Sequence, residues 1–408
     1  MSKGSAFSSS ALINVDDIRA IDNHCFSFSE DTARLRREDL ERFYTPGGFT
    51  VGGGSAARSG ESPSFLMETS VPFRQLIIEL AKFLNCEASI ERVLESRNTL
   101  VDSLGYPSYI KKLYSDANLS LLLVDNSSKP LSKIDEFGRN LNVPLRKVYR
   151  LDPMIKTELE KANSFDDLIS VYDTNMSDAV KKHNCVAFKS VIAYRIGLEV
   201  ELVTEKEARE DFDAAKRKDS PMAWFGPVAK KLRDYLLLRA FVNSVELGAP
   251  MQLHTGLGDT DIVVAKCNPG LLLNALKDPK YQPTKVVLIH GGFPYTTEAC
   301  WLANSLPNVY VELSAPVPTY FSPAISPERY KQMMQLAPVS KLIYGSDGGE
   351  FPEIHWLMIK MAKWSLSRAL SSLVDDGAIL REDALQYAEL MLNGNARRLY
   401  RLKESDLA

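Results

Sequence analysis

Cysteine is scarce and scattered. Cys25, Cys86, Cys185, Cys267 and Cys300 are odd in number, and no two stand in a CxxC pair. That spacing excludes a thiolate zinc site and a disulfide framework, and points to free thiols in a reducing, cytoplasmic setting. Long hydrophobic runs are missing too. No apolar stretch reaches the roughly 18 residues that span a bilayer, so no membrane segment is expected. Residues 1–10 lack the apolar core of a secretory signal and read as a disordered lead-in. Charge of one sign is absent: 49 Lys and Arg balance 52 Asp and Glu, for a net charge of -3. This gives no electrostatic case for nucleic acid or an anionic membrane. The glycine-rich residues 47–54 have neither the GK[ST] ending nor the preceding strand of a phosphate loop, and read as a mobile loop.

What is present is a soluble-enzyme composition, 45% hydrophobic and 25% charged over 408 residues. Strand-like runs occur at 18–24, 121–124, 145–151, 186–193, 251–254, 286–290, 309–313 and 342–345. From residue 121 onward, stretches of helical period separate most of them, the signature of βα units around a parallel sheet. Eight such units predict an α/β fold, a (β/α)8 TIM barrel, with all 408 residues in one barrel-type domain. Two intervals are too long for simple crossovers. Residues 26–118, with helices near 64–84 and 90–114, form a helical insertion after strand 1. Residues 205–225 form a second one after strand 4. Both follow strand exits and are expected to lie over the barrel mouth as lids.

Histidine is rarer than a packing role would suggest, with five in the chain. Three of them end an aliphatic run: Asp22-Asn23-His24, Gln252-Leu253-His254-Thr255 and Leu288-Ile289-His290-Gly291. Tyr344-Gly345-Ser346-Asp347 ends another run in a carboxylate. Strand exits form the catalytic mouth of a barrel. Imidazoles and a carboxylate converging there suit a divalent metal with one position open for water. His24, His254, His290 and Asp347 are therefore the candidate ligands, and Asp347 also the candidate proton acceptor. Lys189 is a charge inside the buried run 186–193, costly unless paired or modified. Tyr194 and Arg195 follow at the same exit, where a guanidinium suits a substrate carboxylate or an ion pair with the lid. Glu312 and Glu350 read as structural groups, and His183 and His355 as non-ligands.

As a set, residues 250–256, 288–295, 308–314, 344–347 and 395–400 resemble the amidohydrolase superfamily. Within it, they are most similar to the amidohydrolase-related module that fungi and plants fuse to glutamine-synthetase-like domains. The resemblance implies a metal-dependent hydrolase of an amide or related C–N bond in a small carboxylate-bearing substrate, with zinc as the metal and His290 as a ligand or carbonyl-polarising group. A non-oxidative decarboxylase and a metal-depleted binding module are the alternatives, and the oligomeric state stays open, a homo-oligomer included. One position departs. The family's strand-1 motif is His-x-His, and here it reads His24-Cys25-Phe26. Three arrangements remain: metal among His254, His290 and a strand-4 ligand; weak metal at His24, His254 and Asp347; or no metal. Some superfamily members carry a carboxylated strand-4 lysine, which makes Lys189 the candidate for the first.

Overall fold

Leu-Leu-Leu-Val and Val-Val-Leu-Ile runs, apolar on both faces, can only be buried on both faces, and a parallel sheet wrapped by helices does this. The computed structural model describes residues 12–44, 62–217, 229–259, 262–315 and 325–407. The lead-in at 1–10, the glycine-rich loop at 47–54 and the 218–225 end of the second insertion lie outside them. Nine strands form one sheet: β1 Ala20–Phe28, β2 Leu119–Asp125, β3 Leu145–Arg150, β4 Cys185–Ser190, β5 Met251–His254, β6 Val286–Ile289, β7 Val309–Glu312, β8 Leu342–Ile343 and β9 Gly348–Glu350. Every neighbouring pair is parallel, in the order β8-β7-β6-β5-β4-β3-β2-β1-β9.

The expected eighth strand is a stave in two pieces. β8 pairs with β7, and β9 pairs with β1. Between them the chain bonds to β1, through Asn23 N–H to the Tyr344 carbonyl at 3.2 Å and Asp347 N–H to the His24 carbonyl at 2.9 Å. The sheet thereby meets itself, and the result is a closed eight-stave barrel.

Period-2 alternation sorts the side chains. Ile21, Leu121, Leu123, Val148, Ala187, Val287, Ile289 and Ile343 form an apolar core of their own, packed with Ala396, Leu399 and Tyr400 from the helix Asn395–Tyr400. The opposite strand faces join a second, larger core with the surrounding helices.

Among the described residues, the interval after β1 holds five α-helices, Arg37–Tyr44, Pro63–Glu68, Val71–Leu84, Ile90–Leu104 and Tyr106–Asp116. A buried Arg97–Glu353 ion pair at 2.7 Å ties them to the long helix Pro352–Asp375, and the Tyr109 hydroxyl donates to the same carboxylate at 2.7 Å. After β4 comes the helix Glu205–Lys216, opened by a Thr204/Glu207 capping box. Its Phe212 and Arg209 pack against Phe165 and Asp166, at the start of the helix Phe165–Lys181.

Candidate metal and catalytic site

The alternation that fills the barrel with aliphatic groups carries its polar residues to one end. Continuing the inward-facing set toward the strand exits gives Asp125, Arg150, Lys189, His254 and Glu312. A pairing irregularity between Asp22 and Cys25 adds His24, because a bulge places two successive residues on one face. His290 and Asp347 lie just past their strands with φ of 66° and 55°, a left-handed backbone that non-glycine residues rarely adopt outside sites that need it. The His290 turn is braced by buried Arg329, whose Nη2 donates to the His290 carbonyl at 2.7 Å. Gly345 leaves room for Glu312: a Cβ there would come within 2.3 Å of Oε1.

The candidate groups meet. Asp347 Oδ1 lies 3.1 Å from His24 Nε2, and Lys189 Nζ 3.3 Å from the same nitrogen. His290 Nε2 faces His254 Nδ1 at 3.1 Å. The ligand atoms of His24, His290 and Asp347 all lie within 4.8 Å of one another. The three imidazoles and Lys189 are buried, while the Asp347 side chain is 11% exposed and marks the open side.

The hydrogen bonds behind the rings assign their tautomers. His254 Nε2–H donates to the Leu257 carbonyl at 2.9 Å, which leaves a lone pair on Nδ1. His290 Nδ1–H donates to Ser314 Oγ at 2.8 Å, and that hydroxyl passes its hydrogen to Glu312 Oε2 at 2.7 Å, which leaves a lone pair on His290 Nε2. Two lone pairs then face each other across 3.1 Å, an arrangement that calls for a cation between them. Burial, and after it mostly the Lys189 charge, pushes His24 and His254 well below the usual histidine range; burial and then His254 do the same for His290. Neutral imidazoles are what a metal binds. With ligand bonds of about 2.0–2.2 Å, donors around one ion stand about 3.3–4.4 Å apart, so these residues fit a divalent metal after small shifts. Nδ1 of His24 is buried and makes no hydrogen bond among the described residues.

The carboxyls are held high. Burial pushes Asp347 well above its ordinary range, against the pull of Lys189, and pushes Glu312 up to about 7, against the N–H groups of His290 and Ser314 that it accepts. Burial also lowers Lys189 to about 8, opposed first by Asp125.

Of the residues singled out in the sequence, His24, Lys189, His254, His290 and Asp347 come together here. Tyr194 joins them, its ring 4.7 Å from that of His254 and its hydroxyl accepting the Asp259 N–H. Arg195 lies where its charge acts on Arg233, on the helix Lys230–Leu247. Glu350 pairs with Arg42, and His355 is buried against Asp22 behind the barrel wall.

Two groups went unread. Arg150 grips Asp125 through Nε and Nη2 at 2.5–3.1 Å, and its guanidinium lies 5.4 Å from the centre of the Phe26 ring. The signal was there for Asp125, where β2 ends in a charge after an apolar run, and weaker for Arg150, since β3 already carries Arg146 and Lys147. Phe26 meets the His24 ring edge-on at 5.4 Å.

Residues 219–402 match the family model described as amidohydrolase. Over that stretch, a little under half of its length, the chain is similar to amidohydrolases. Protein fluG of Emericella nidulans is 34% identical over 237 residues, 56% of this chain and 27% of the relative. The chain thus matches about a quarter of that relative's length, in keeping with the resemblance to a module of longer proteins. Among solved structures, a Lactobacillus casei protein proposed to be a metal-dependent hydrolase is 21% identical with a TM-score of 0.78, over 98% of this chain and 100% of that one. Uronate isomerases of Thermotoga maritima (15%, TM-score 0.67, 95% of each chain) and Bacillus halodurans (14%, TM-score 0.66, 95% of this chain and 94% of that one) also align. At these identities the likeness is one of fold, that of the closed parallel barrel. Among the described residues, no helix is long and apolar enough to cross a membrane.

Proposed function

We propose that this protein is a metal-dependent hydrolase that cleaves an amide or related C–N bond of a small molecule. The observation that carries this reading is the meeting of three neutral imidazoles with Asp347 at the barrel mouth, two of them with lone pairs face to face. His24, His290 and Asp347 would hold the ion, with His254 beside them, and the nitrogen-and-carboxylate donor set suits zinc. When bound, the ion would supply Lewis-acid activation of water and of the substrate carbonyl.

The chain's own groups do the rest. Asp347 accepts the proton of the attacking water at a carboxylate oxygen and delivers it to the departing nitrogen. Burial raises its basicity for the first step and its acid form is neutral for the second. Glu312 and Ser314 fix the His290 ring, so that its Nε2 side stays aimed at the centre of the mouth. Tyr194 covers His254 and keeps solvent from it.

The test is metal analysis of protein purified without chelators, followed by turnover assays of metal-loaded and stripped enzyme on a panel of N-acyl amino acids. Metal-dependent release of free amine is the expected result. Carbon dioxide release would point to a decarboxylase, and aldose–ketose interconversion of a uronate to an isomerase. Absence of both metal and turnover would leave a binding module.

A further inference from the structure

We infer that Arg150 is the group that receives a substrate carboxylate in this site, and that Phe26 holds its guanidinium in place to do so. The inference deepens the hydrolase reading by naming the chemistry of its substrate, and it rests on that reading for the position of the reacting bond.

A guanidinium has five N–H groups on two usable edges. In Arg150 the side edge, Nε with Nη2, is spent on Asp125, a carboxylate with no exposure that also accepts the Ser127 N–H at 2.8 Å. The end edge, Nη1 with the second hydrogen of Nη2, makes no hydrogen bond among the described residues, and the side chain is 15% exposed. An Arg fixed side-on by one carboxylate keeps an end-on fork for a second. The charge sits in the mouth, since it is felt by His24, His254 and Asp347.

Phe26 accounts for the orientation. Its ring lies between His24, which it meets edge-on, and Arg150, which lies against it at 5.4 Å from the centroid. A histidine at position 26 would set an ionisable ring beside the guanidinium, whereas the negative face of a phenyl ring attracts it. The departure from His-x-His thus trades a ligand for a platform. Clamped between Asp125 and Phe26, the guanidinium has little conformational freedom left to lose on binding, which favours affinity. Lys189 adds a second positive charge in the same layer of the barrel. A carboxylate held at Arg150 would leave the rest of a small substrate to reach His24, His290 and Asp347.

The experiment compares succinate with succinamide as probes of the full-length protein by calorimetric titration. Wild type, Arg150→Lys and Phe26→Leu are each measured metal-loaded and after chelator treatment. Wild type should bind succinate in both states and succinamide poorly. Arg150→Lys, which keeps the charge but loses the fork, should weaken succinate binding roughly tenfold or more. Phe26→Leu, which leaves the Arg150–Asp125 pair intact, should weaken it severalfold. Unchanged affinity in Arg150→Lys, no succinate binding by wild type, or binding that vanishes on chelation would overturn the inference. Unchanged affinity in Phe26→Leu would overturn the role of the ring. Loss of the metal reading alone would leave succinate binding to stripped protein intact, so the two failures can be told apart.

Discussion

Asp347 combines three properties that seldom coincide in one side chain: a left-handed backbone, a carboxylate raised by burial, and direct contact with an imidazole. Replacing it with Asn keeps the shape and one weak ligand oxygen but removes the proton acceptor. Turnover of Asp347→Asn should fall by about 10²-fold or more with the thermal midpoint nearly unchanged; near-normal rates would move the base to Glu312. Lys189 poses a different question. Its ammonium lies 3.3 Å from His24 Nε2, where a cation opposes metal binding unless the nitrogen is carboxylated. If it stays an amine, Lys189→Met should bind metal at least as tightly as wild type, because a repelling charge is gone. Stripped metal in that variant, read by elemental analysis, would instead make Lys189 a ligand and favour the His254 and His290 pocket. Both residues were legible as chemistry in a buried context. Asp125 and Arg150 follow the same rule and went unread, because their motifs lack a histidine to draw attention.

Among the elements, strand positions were readable because aliphatic runs leave few alternatives, and β5 begins and ends where the sequence places it, at 251–254. Two features of greater consequence for the site were not. The pairing irregularity in β1 turns His24 inward, and the split of the last stave brings Asp347 back to β1. The first is a register shift against β2, 100 positions away, and the second pairs residues more than 320 positions apart; no local pattern encodes either. Asp22 is the hinge of that closure. Its Oδ1 accepts the Ser346 N–H at 2.9 Å and the His24 N–H at 3.3 Å, and its Oδ2 accepts the Ser346 hydroxyl at 2.5 Å. Asp22→Ala takes this acceptor from the Ser346 hydroxyl and the His24 N–H, while the Ser346 N–H keeps the His24 carbonyl at 3.3 Å, and should cost at least the ~1–3 kcal/mol of one such group. Because the same bonds fix His24 against Asp347, metal affinity should fall along with the urea midpoint. A variant that lost stability but kept wild-type metal affinity would assign Asp22 to the fold alone.

At the scale of the whole molecule, the question is how 90 residues inserted after β1 are held to a barrel that needs none of them for closure. Their helices were foreseeable from periodicity, and their docking was not, since it rests on distant contacts: a buried ion pair across 256 positions, the Trp356 Nε1–H to Asp116 bond at 2.8 Å and the packing of Phe83 on Trp356. Arg97 and Glu353 are 1% and 0% exposed, and Arg97 also donates to the carbonyls of Thr32 and Ala33. The guanidinium thus ties β1's exit, the insertion and the helix after β9 at one point. Burying two charges is expensive, so the pair as a whole need add little stability over an apolar substitute, whereas breaking it strands the survivor in a dry interior. Arg97→Met should therefore destabilise by about 3–5 kcal/mol, seen as a lower urea midpoint with an early loosening of the insertion to proteolysis. Adding Glu353→Leu should recover a large part of that loss, because the uncompensated carboxylate is then gone, although the Tyr109 hydroxyl loses its acceptor. If the double variant proved less stable than Arg97→Met, the pair would be a net source of stability and the insertion would be held by its charges and not by the apolar contacts around them.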